Sequence, residues 1–219
     1  VSRLTLIIGN KNYSSWSLRP WLFMKHFQLA FEEKRVALFT GTTDQELAPW
    51  FSDGKVPVLL DEGFVVWDSL SILEYLSGQH LDSRGWPEDI GARAFARSVS
   101  AEMHSSFSNL RNELPMNCRK RFRDIRLSAG AARDIERVKS IWRRCRTGFG
   151  AGGDWLFGNF SIADAMYAPV ALRFFGYGIP LDGIEASYVQ TVLDDPHIVD
   201  WMEAGKAETE IIERDEIET

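Results

Sequence analysis

Every stretch of this chain that reads as a β-strand lies before residue 68, and beyond it only helical periodicity remains. Leu4–Ile8 is a short apolar run closed by Gly9 and Asn10, the pattern of a buried strand. Leu18, Trp21, Leu22 and Phe27 recur at roughly helical spacing, which predicts a helix to about His26. Phe31–Leu38 reads as a second strand, Thr43–Phe51 as a short helix, and Val56–Leu60 as a third strand. Phe64–Trp67 is a fourth strand, and the Asp61-Glu62-Gly63 turn makes a hairpin of the last two. Asp68 opens a helix through Leu76. In the resulting order, βαβαββα, a helix joins the first two strands and makes them parallel, while the tight turn makes the last two antiparallel. A small mixed sheet with helices on both faces follows.

That is the thioredoxin-like arrangement, and it takes residues 1–80. Residues 81–91 are a polar linker containing Gly85, Pro87 and Gly91. Residues 92–219 read as an all-helical bundle, with helices at Ala92–Leu114, Ser128–Thr147, Ser161–Gly176, Ser187–Leu193 and Pro196–Lys206. The fold class is therefore α/β plus all-α. The last twelve residues carry Glu208, Glu210, Glu213, Asp215, Glu216 and Glu218 against Arg214, and this tail is expected to be exposed.

Bulk composition excludes several classes. The net charge of −6 argues against a nucleic-acid partner. No apolar run approaches the roughly 18 residues of a membrane span. The opening VSRLTLIIG has too short an apolar core for a signal peptide, so a cytoplasmic location is expected. Cys118 and Cys145 form neither a CxxC pair nor a zinc spacing, and reduced thiols are expected. His26, His80, His104 and His197 lack the spacing of a helical metal site, so no metal is expected.

Three segments of the first domain carry chemistry. In GKVPVL, residues 54–59, Pro57 has no N–H to give a ladder. It is either an ordinary edge-strand proline or a cis one that leaves Val56 to pair with an extended peptide. In WDSLSILEYL, residues 67–76, Asp68 or Ser69 caps a helix. Such an N-terminus also receives a carboxylate, and Asp68 can pair with an ammonium group. In NYSSWSLRP, residues 12–20, hydroxyls crowd the start of a helix that Pro20 keeps from beginning much before Ser15. A ligand with both charges on one carbon is an amino acid, so together these segments describe a small-peptide site.

The three segments, in this order, resemble a cytosolic glutathione transferase over the whole chain. NYSSWSLRP resembles the serine motif of the zeta and theta-like classes, GKVPVL the cis-proline segment, and DSLSILEYL the acid–serine motif for the γ-glutamyl group. FSIADAMYAP, residues 160–169, resembles the family's capping motif, with Ser161 three residues before Asp164. The resemblance implies glutathione as co-substrate, a small electrophile as second substrate, and a two-fold homodimer.

It also implies roles for residues. The family's arginine stands five residues after the active one, so Arg19 points to Ser14 as the hydroxyl that holds the thiolate. Ser15 is the next candidate, with Tyr13 after it, and Ser15 and Ser17 otherwise serve as helix caps. Lys55 is assigned the glycyl carboxylate, Val56 and Pro57 the peptide backbone, Asp68 and Ser69 the γ-glutamyl head. Trp16 stands where the zeta class has cysteine, and Asp68 where glutamate or glutamine is commoner. For the second substrate, His104, Ser108, Arg111 and Asn112 share a helical face, readable as a pocket for an anionic electrophile, a dimer contact or a plain polar face. Two alternatives to transfer stand beside it: a zeta-like cis-trans isomerase of the maleylacetoacetate type, and a non-catalytic protein-binding module.

Overall fold

The structure is a computed structural model, and it describes residues 4–217. Strands β1 (Leu4–Ile8), β2 (Phe31–Arg35), β3 (Val58–Asp61) and β4 (Phe64–Trp67) form one sheet in the order β2-β1-β3-β4. β1 runs parallel to β2, with Leu4 opposite Phe31, and antiparallel to β3, with Ile7 opposite Val58. β3 and β4 are the antiparallel hairpin, Val58 facing Trp67.

The period of two in β1 sorts its side chains between two cores. Leu4, Leu6 and Ile8 join the main core with Leu18 and Leu22 of α1 (Ser15–His26) and Ile72 and Leu76 of α3 (Ser69–His80). Ile7 points the other way and packs with Val36, Val58 and Leu47 of α2 (Thr43–Leu47). Apart from the half-buried Thr5, both faces of β1 are covered, which is why it reads as an apolar run rather than an alternation.

Several boundaries move, each for a physical reason. β2 ends at Arg35 and α2 at Leu47, because Val36 turns into the second core and Trp50 closes a turn onto the Leu47 carbonyl. β3 starts at Val58 rather than Val56, since Pro57 has no N–H for the ladder. Pro20 sits at the sixth position of α1 instead of in its first turn, so the Trp16 carbonyl receives no helix bond from it. The helix read over 92–114 is two helices, α4 (Ile90–Ser105) and α5 (Ser108–Glu113). Between them Phe107 takes φ 61° and drives its ring into the core. The cost of a left-handed phenylalanine is offset by burying an aromatic ring.

The helical domain continues with α6 (Ala129–Phe149), α7 (Ile162–Gly176), α8 (Gly183–Asp194) and α9 (Pro196–Ala207). α7 is buried along almost its whole length and packs on α1, α4 and α8. Asp164 holds its start: its carboxylate accepts from the Leu156 and Ser161 N–H groups at 2.9 Å each and from the Tyr188 hydroxyl at 3.2 Å. The acidic tail is not free as expected. It folds back over the β1–α1 loop, where Ile212 is buried and a short 3₁₀ turn forms at Glu213–Asp215. Glu218 lies outside the described residues.

Candidate functional site

Helix α1 begins beside the end of β1. Ser14 is its N-cap: the Ser14 Oγ accepts from the Ser17 N–H at 3.3 Å and donates to the Ser17 Oγ at 2.8 Å. Ser17, fully buried, accepts in turn from the Gly9 N–H at 3.1 Å. The caps were expected at Ser15 and Ser17; Ser14 fills that place because the turn donating its N–H to the Asn10 carbonyl leaves Ser14 outside helical geometry. A Cβ on Gly9 would stand 2.5 Å from Leu38 and 3.2 Å from Val56. With no side chain at Gly9, Leu38 and Val56 pack close to the end of β1, whose Gly9 N–H meets Ser17 of α1, and the neighbouring Val56–Pro57 peptide bond is cis.

Ser15 faces the helical domain. Its Oγ accepts from Nη2 of Arg173 on α7 at 3.0 Å. Arg173 also donates to the main-chain carbonyls of Arg111, at 3.2 Å, and Leu114. Tyr13 is otherwise engaged: its hydroxyl donates to Glu216 at 2.5 Å and accepts from Arg119 at 2.8 Å. Burial, followed by the Glu216 contact, raises its pKa.

The second helix mouth belongs to α3. Asp68 is the N-cap at φ 75°, its Oδ1 accepting from the Leu70 and Ser71 N–H groups at 3.0 and 3.1 Å. Its Oδ2 lies 3.0 Å from Nε2 of His104 at the end of α4. Ser69 is buried, and its Oγ accepts from Nη1 of Arg19 at 3.2 Å. Arg19 thus ties the two mouths together from inside α1. Lys55 makes no contact within this network; it is exposed and paired with Asp53 at 2.9 Å. Such an exposed pair is worth little.

Trp16 covers the junction. The Arg19 guanidinium lies 4.2 Å from its ring centre, that of Arg111 5.4 Å, and the His104 ring meets it edge-on at 5.5 Å. Ser108 and Asn112 do not join this cluster. They are exposed on α5, beyond the Phe107 break, so the single face expected for them with His104 does not exist.

The electrostatics are one-sided. Burial and the like charges of Arg173 and Arg111 pull Arg19 down to about 9, with Asp68 opposing. Burial pulls Arg173 down to about 10 and lowers Arg111 as well. A guanidinium keeps its charge at neutral pH, so three positive charges gather around Trp16 and Ser15. This arrangement can hold an anion and stabilise a negative charge developing beside the hydroxyls. Cys118 and Cys145 are free buried thiols, each pushed up to about 12 chiefly by burial, and are unsuited to act as nucleophiles. Among the described residues no three His, Cys, Asp or Glu side chains cluster as a metal site, and no helix is long and apolar enough to cross a membrane.

Arg173 was invisible to motif reading. Its signal was nonetheless present: a lone cation in a helix that, beyond the Asp164 of its first turn, is apolar around its circumference. Asn12 escaped for another reason. Its Oδ1 accepts from the Cys118 and Arg119 N–H groups at 2.9 and 3.0 Å, partners more than a hundred residues away.

A four-stranded mixed sheet with a cis-proline at a helix mouth, fused to an all-helical domain, defines the two-domain thioredoxin-like class of transferase folds. The chain belongs to the glutathione S-transferase family. Its residues 13–79 match the profile described as "Glutathione S-transferase, N-terminal domain", and residues 128–204 that of the "Glutathione S-transferase, C-terminal domain". A "Probable maleylacetoacetate isomerase" of Caenorhabditis elegans is 34% identical over 98 residues, 45% of either chain. "Glutathione S-transferase 1" of Dianthus caryophyllus is 33% identical over 107 residues, 47% of this chain and 46% of the relative. The matched part thus spans about half the length of these curated relatives.

Solved structures share the fold. A Burkholderia glutathione transferase homolog with bound glutathione superposes with a TM-score of 0.68 at 23% identity, covering 94% of this chain and 100% of its own. A diazinon-metabolizing glutathione S-transferase of the silkworm Bombyx mori gives 0.70 at 16% identity, over 93% of this chain and 97% of its own.

Proposed function

We propose that this chain is a glutathione transferase that holds the glutathione thiol as thiolate at the mouth of α1 and adds it to a small electrophile. One observation carries the reading: the mouths of α1 and α3, joined by Arg19 and Ser69, open together beside the cis Val56–Pro57 bond. In this reading Asp68 pairs with the γ-glutamyl ammonium and Ser69 receives its carboxylate. The backbone of Val56, next to Pro57, pairs with the tripeptide, and Lys55 takes the glycyl carboxylate. The electrophile lies between the domains against Trp16, His104 and Arg111. Residues 1–80 form the glutathione-binding unit, 81–91 the linker and 92–219 the helical unit. The protein works as a cytoplasmic two-fold homodimer, which light scattering would test.

The two leading serines differ in what they have left to give. The Ser14 proton is committed to Ser17, whereas Ser15 accepts from Arg173 and keeps its own proton to donate. This supports Ser15 as the donor to sulfur and Ser14 as the cap behind it, reversing the order suggested by the arginine spacing. A free thiol ionises near roughly pH 8.5, and lowering that by two pH units takes about 2.7 kcal/mol. A charge-assisted hydrogen bond of roughly 1.5–3 kcal/mol plus the α1 dipole can supply it.

The test is the ultraviolet thiolate band of bound glutathione as a function of pH. Ser15→Ala should move its midpoint up by about one to two pH units, and Ser14→Ala by less. An unchanged midpoint in both variants would remove serine from the chemistry. Failure of the chain to be retained on glutathione resin would remove the reading itself.

A second reading, a glutathione-dependent cis-trans isomerase, draws support from the Arg19, Arg111 and Arg173 cluster, which suits a carboxylate-bearing substrate. Turnover of maleylacetoacetate against a chlorinated nitrobenzene would separate the two.

A further inference from the structure

The three residues before Ser14 are all gripped by the last residues described. The N–H groups of Lys11 and Asn12 donate to the two carboxylate oxygens of Glu208, at 2.8 and 3.0 Å. Glu216 then accepts from the Tyr13 hydroxyl and, at 3.1 Å, from Asn117. Arg119 laces the layers together, donating to the main-chain carbonyls of Glu208 and Glu210 at 2.7 Å each and to the Tyr13 hydroxyl. Buried main-chain N–H groups need partners, and here a loop finds them in a carboxylate nearly two hundred residues away.

The grip is also screened from the site. A bare carboxylate near the start of α1 would oppose an anion there. Glu208 and Glu210 lie against Arg35, at 3.5 and 2.7 Å, and Glu216 pairs with Lys120. The strap therefore supplies hydrogen-bond acceptors whose charge is already answered. Tyr13 and Ser14 both turn on the Asn10 carbonyl, so fixing Lys11–Tyr13 fixes where α1 starts.

We propose that Glu208 and Glu216 are positioning residues for thiol activation: residues 208–216 form a strap that sets the β1–α1 loop and so aims the Ser14 and Ser15 hydroxyls. The proposal rests on the transferase reading for its chemistry. The strap touches no reacting atom; it acts through the loop.

The experiment compares the full chain with the double variant Glu208→Gln/Glu216→Gln. Glutamine at position 208 sets an amide NH2 against a main-chain N–H, and at 216 it loses Lys120. The fraction of bound glutathione ionised at neutral pH should fall about tenfold, and kcat/KM with it. Affinity for S-methylglutathione, which has no thiol to activate, should stay within about twofold, because positioning of the thiol and binding of the peptide are separate. The amides of Lys11–Ser15 should exchange with solvent faster.

An unchanged thiolate fraction with faster exchange at Lys11–Ser15 would overturn the proposal. So would parallel loss of S-methylglutathione affinity and thiolate, which a merely structural tail would give. If the double variant fails to fold, Tyr13→Phe, which removes one hydroxyl, should show the same pattern at smaller amplitude, and its absence there counts against the strap. If the unaltered chain does not bind S-methylglutathione, the transferase reading has failed. The strap is then judged on exchange alone, where wild-type rates at Lys11–Ser15 in the double variant would overturn it.

Discussion

The two helix mouths at the site obey the same physics and end in opposite states. At α3 the positive end is answered within the chain: Asp68 caps two N–H groups with one oxygen and meets His104 with the other. At α1 the first turn holds no acid, its cap is a neutral serine, and Arg19 and Arg173 press their charge on it from below. One mouth carries its own negative charge at the cap and the other carries none. What separates them is one residue type at the cap position, aspartate or serine.

Arg19→Met should break this comparison most visibly. Among the described residues no carboxylate makes an ion pair with Arg19, so a long apolar side chain should leave the melting temperature unchanged or higher. Turnover should meanwhile fall about 10- to 100-fold, the worth of a charge-assisted contact. A large drop in melting temperature with turnover retained would mean that the charge serves the fold and that the α1 mouth is not an open anion site.

Next in size is Asp68→Ala, which removes both the cap and the His104 contact. Urea denaturation should show a loss of about 1–2 kcal/mol. Asp68→Asn should recover most of it, since asparagine also caps helices and is no more strained than aspartate at the φ of 75° seen there. Equal losses in the two variants would mean that the ion pair, not the cap, steadies the start of α3.

The smallest effect is one of pH. Burial works to raise the Glu216 carboxyl, but the Lys120 and Tyr13 hydrogen bonds outweigh it and hold it below the usual range. On lowering the pH the unfolded chain takes up this proton first, so the contribution of Glu216 to stability is complete above about pH 5. It disappears as the pH falls through the folded-state value. The melting difference between the unaltered chain and Glu216→Gln should be flat from neutral pH to about 5 and should shrink below about 4. A difference that grows on acidification would contradict this sign.

The α3 mouth was the more legible of the two. Local rules of spacing and capping give β1, α1, β4 and the Ser161–Asp164 box, because those elements are decided by near neighbours in sequence. Phe107 was not legible: no glycine or proline announces the break, which arises because the core draws in a ring. Glu208 was not legible either, since its partners are main-chain N–H groups, which every residue but proline carries. An acidic tail reads as solvated until the loop beneath it is known. The pairing of Ser15 with Arg173 lies between these extremes, for the lone cation in α7 could be seen but its target could not.

Helix α1 packs its first domain's sheet on one side and α7 of the second domain on the other, and only Lys25 near its end is exposed. Inheritance follows from that geometry. A gene fragment ending near His80 would encode a helix whose face toward α7 and α9 is uncovered, with Trp21 missing Trp201, and its product should aggregate. Recombination that exchanged one domain between distant relatives would have to carry the matching helix face with it. The boundary that looks easiest to cut in the sequence is therefore one at which the molecule cannot be divided.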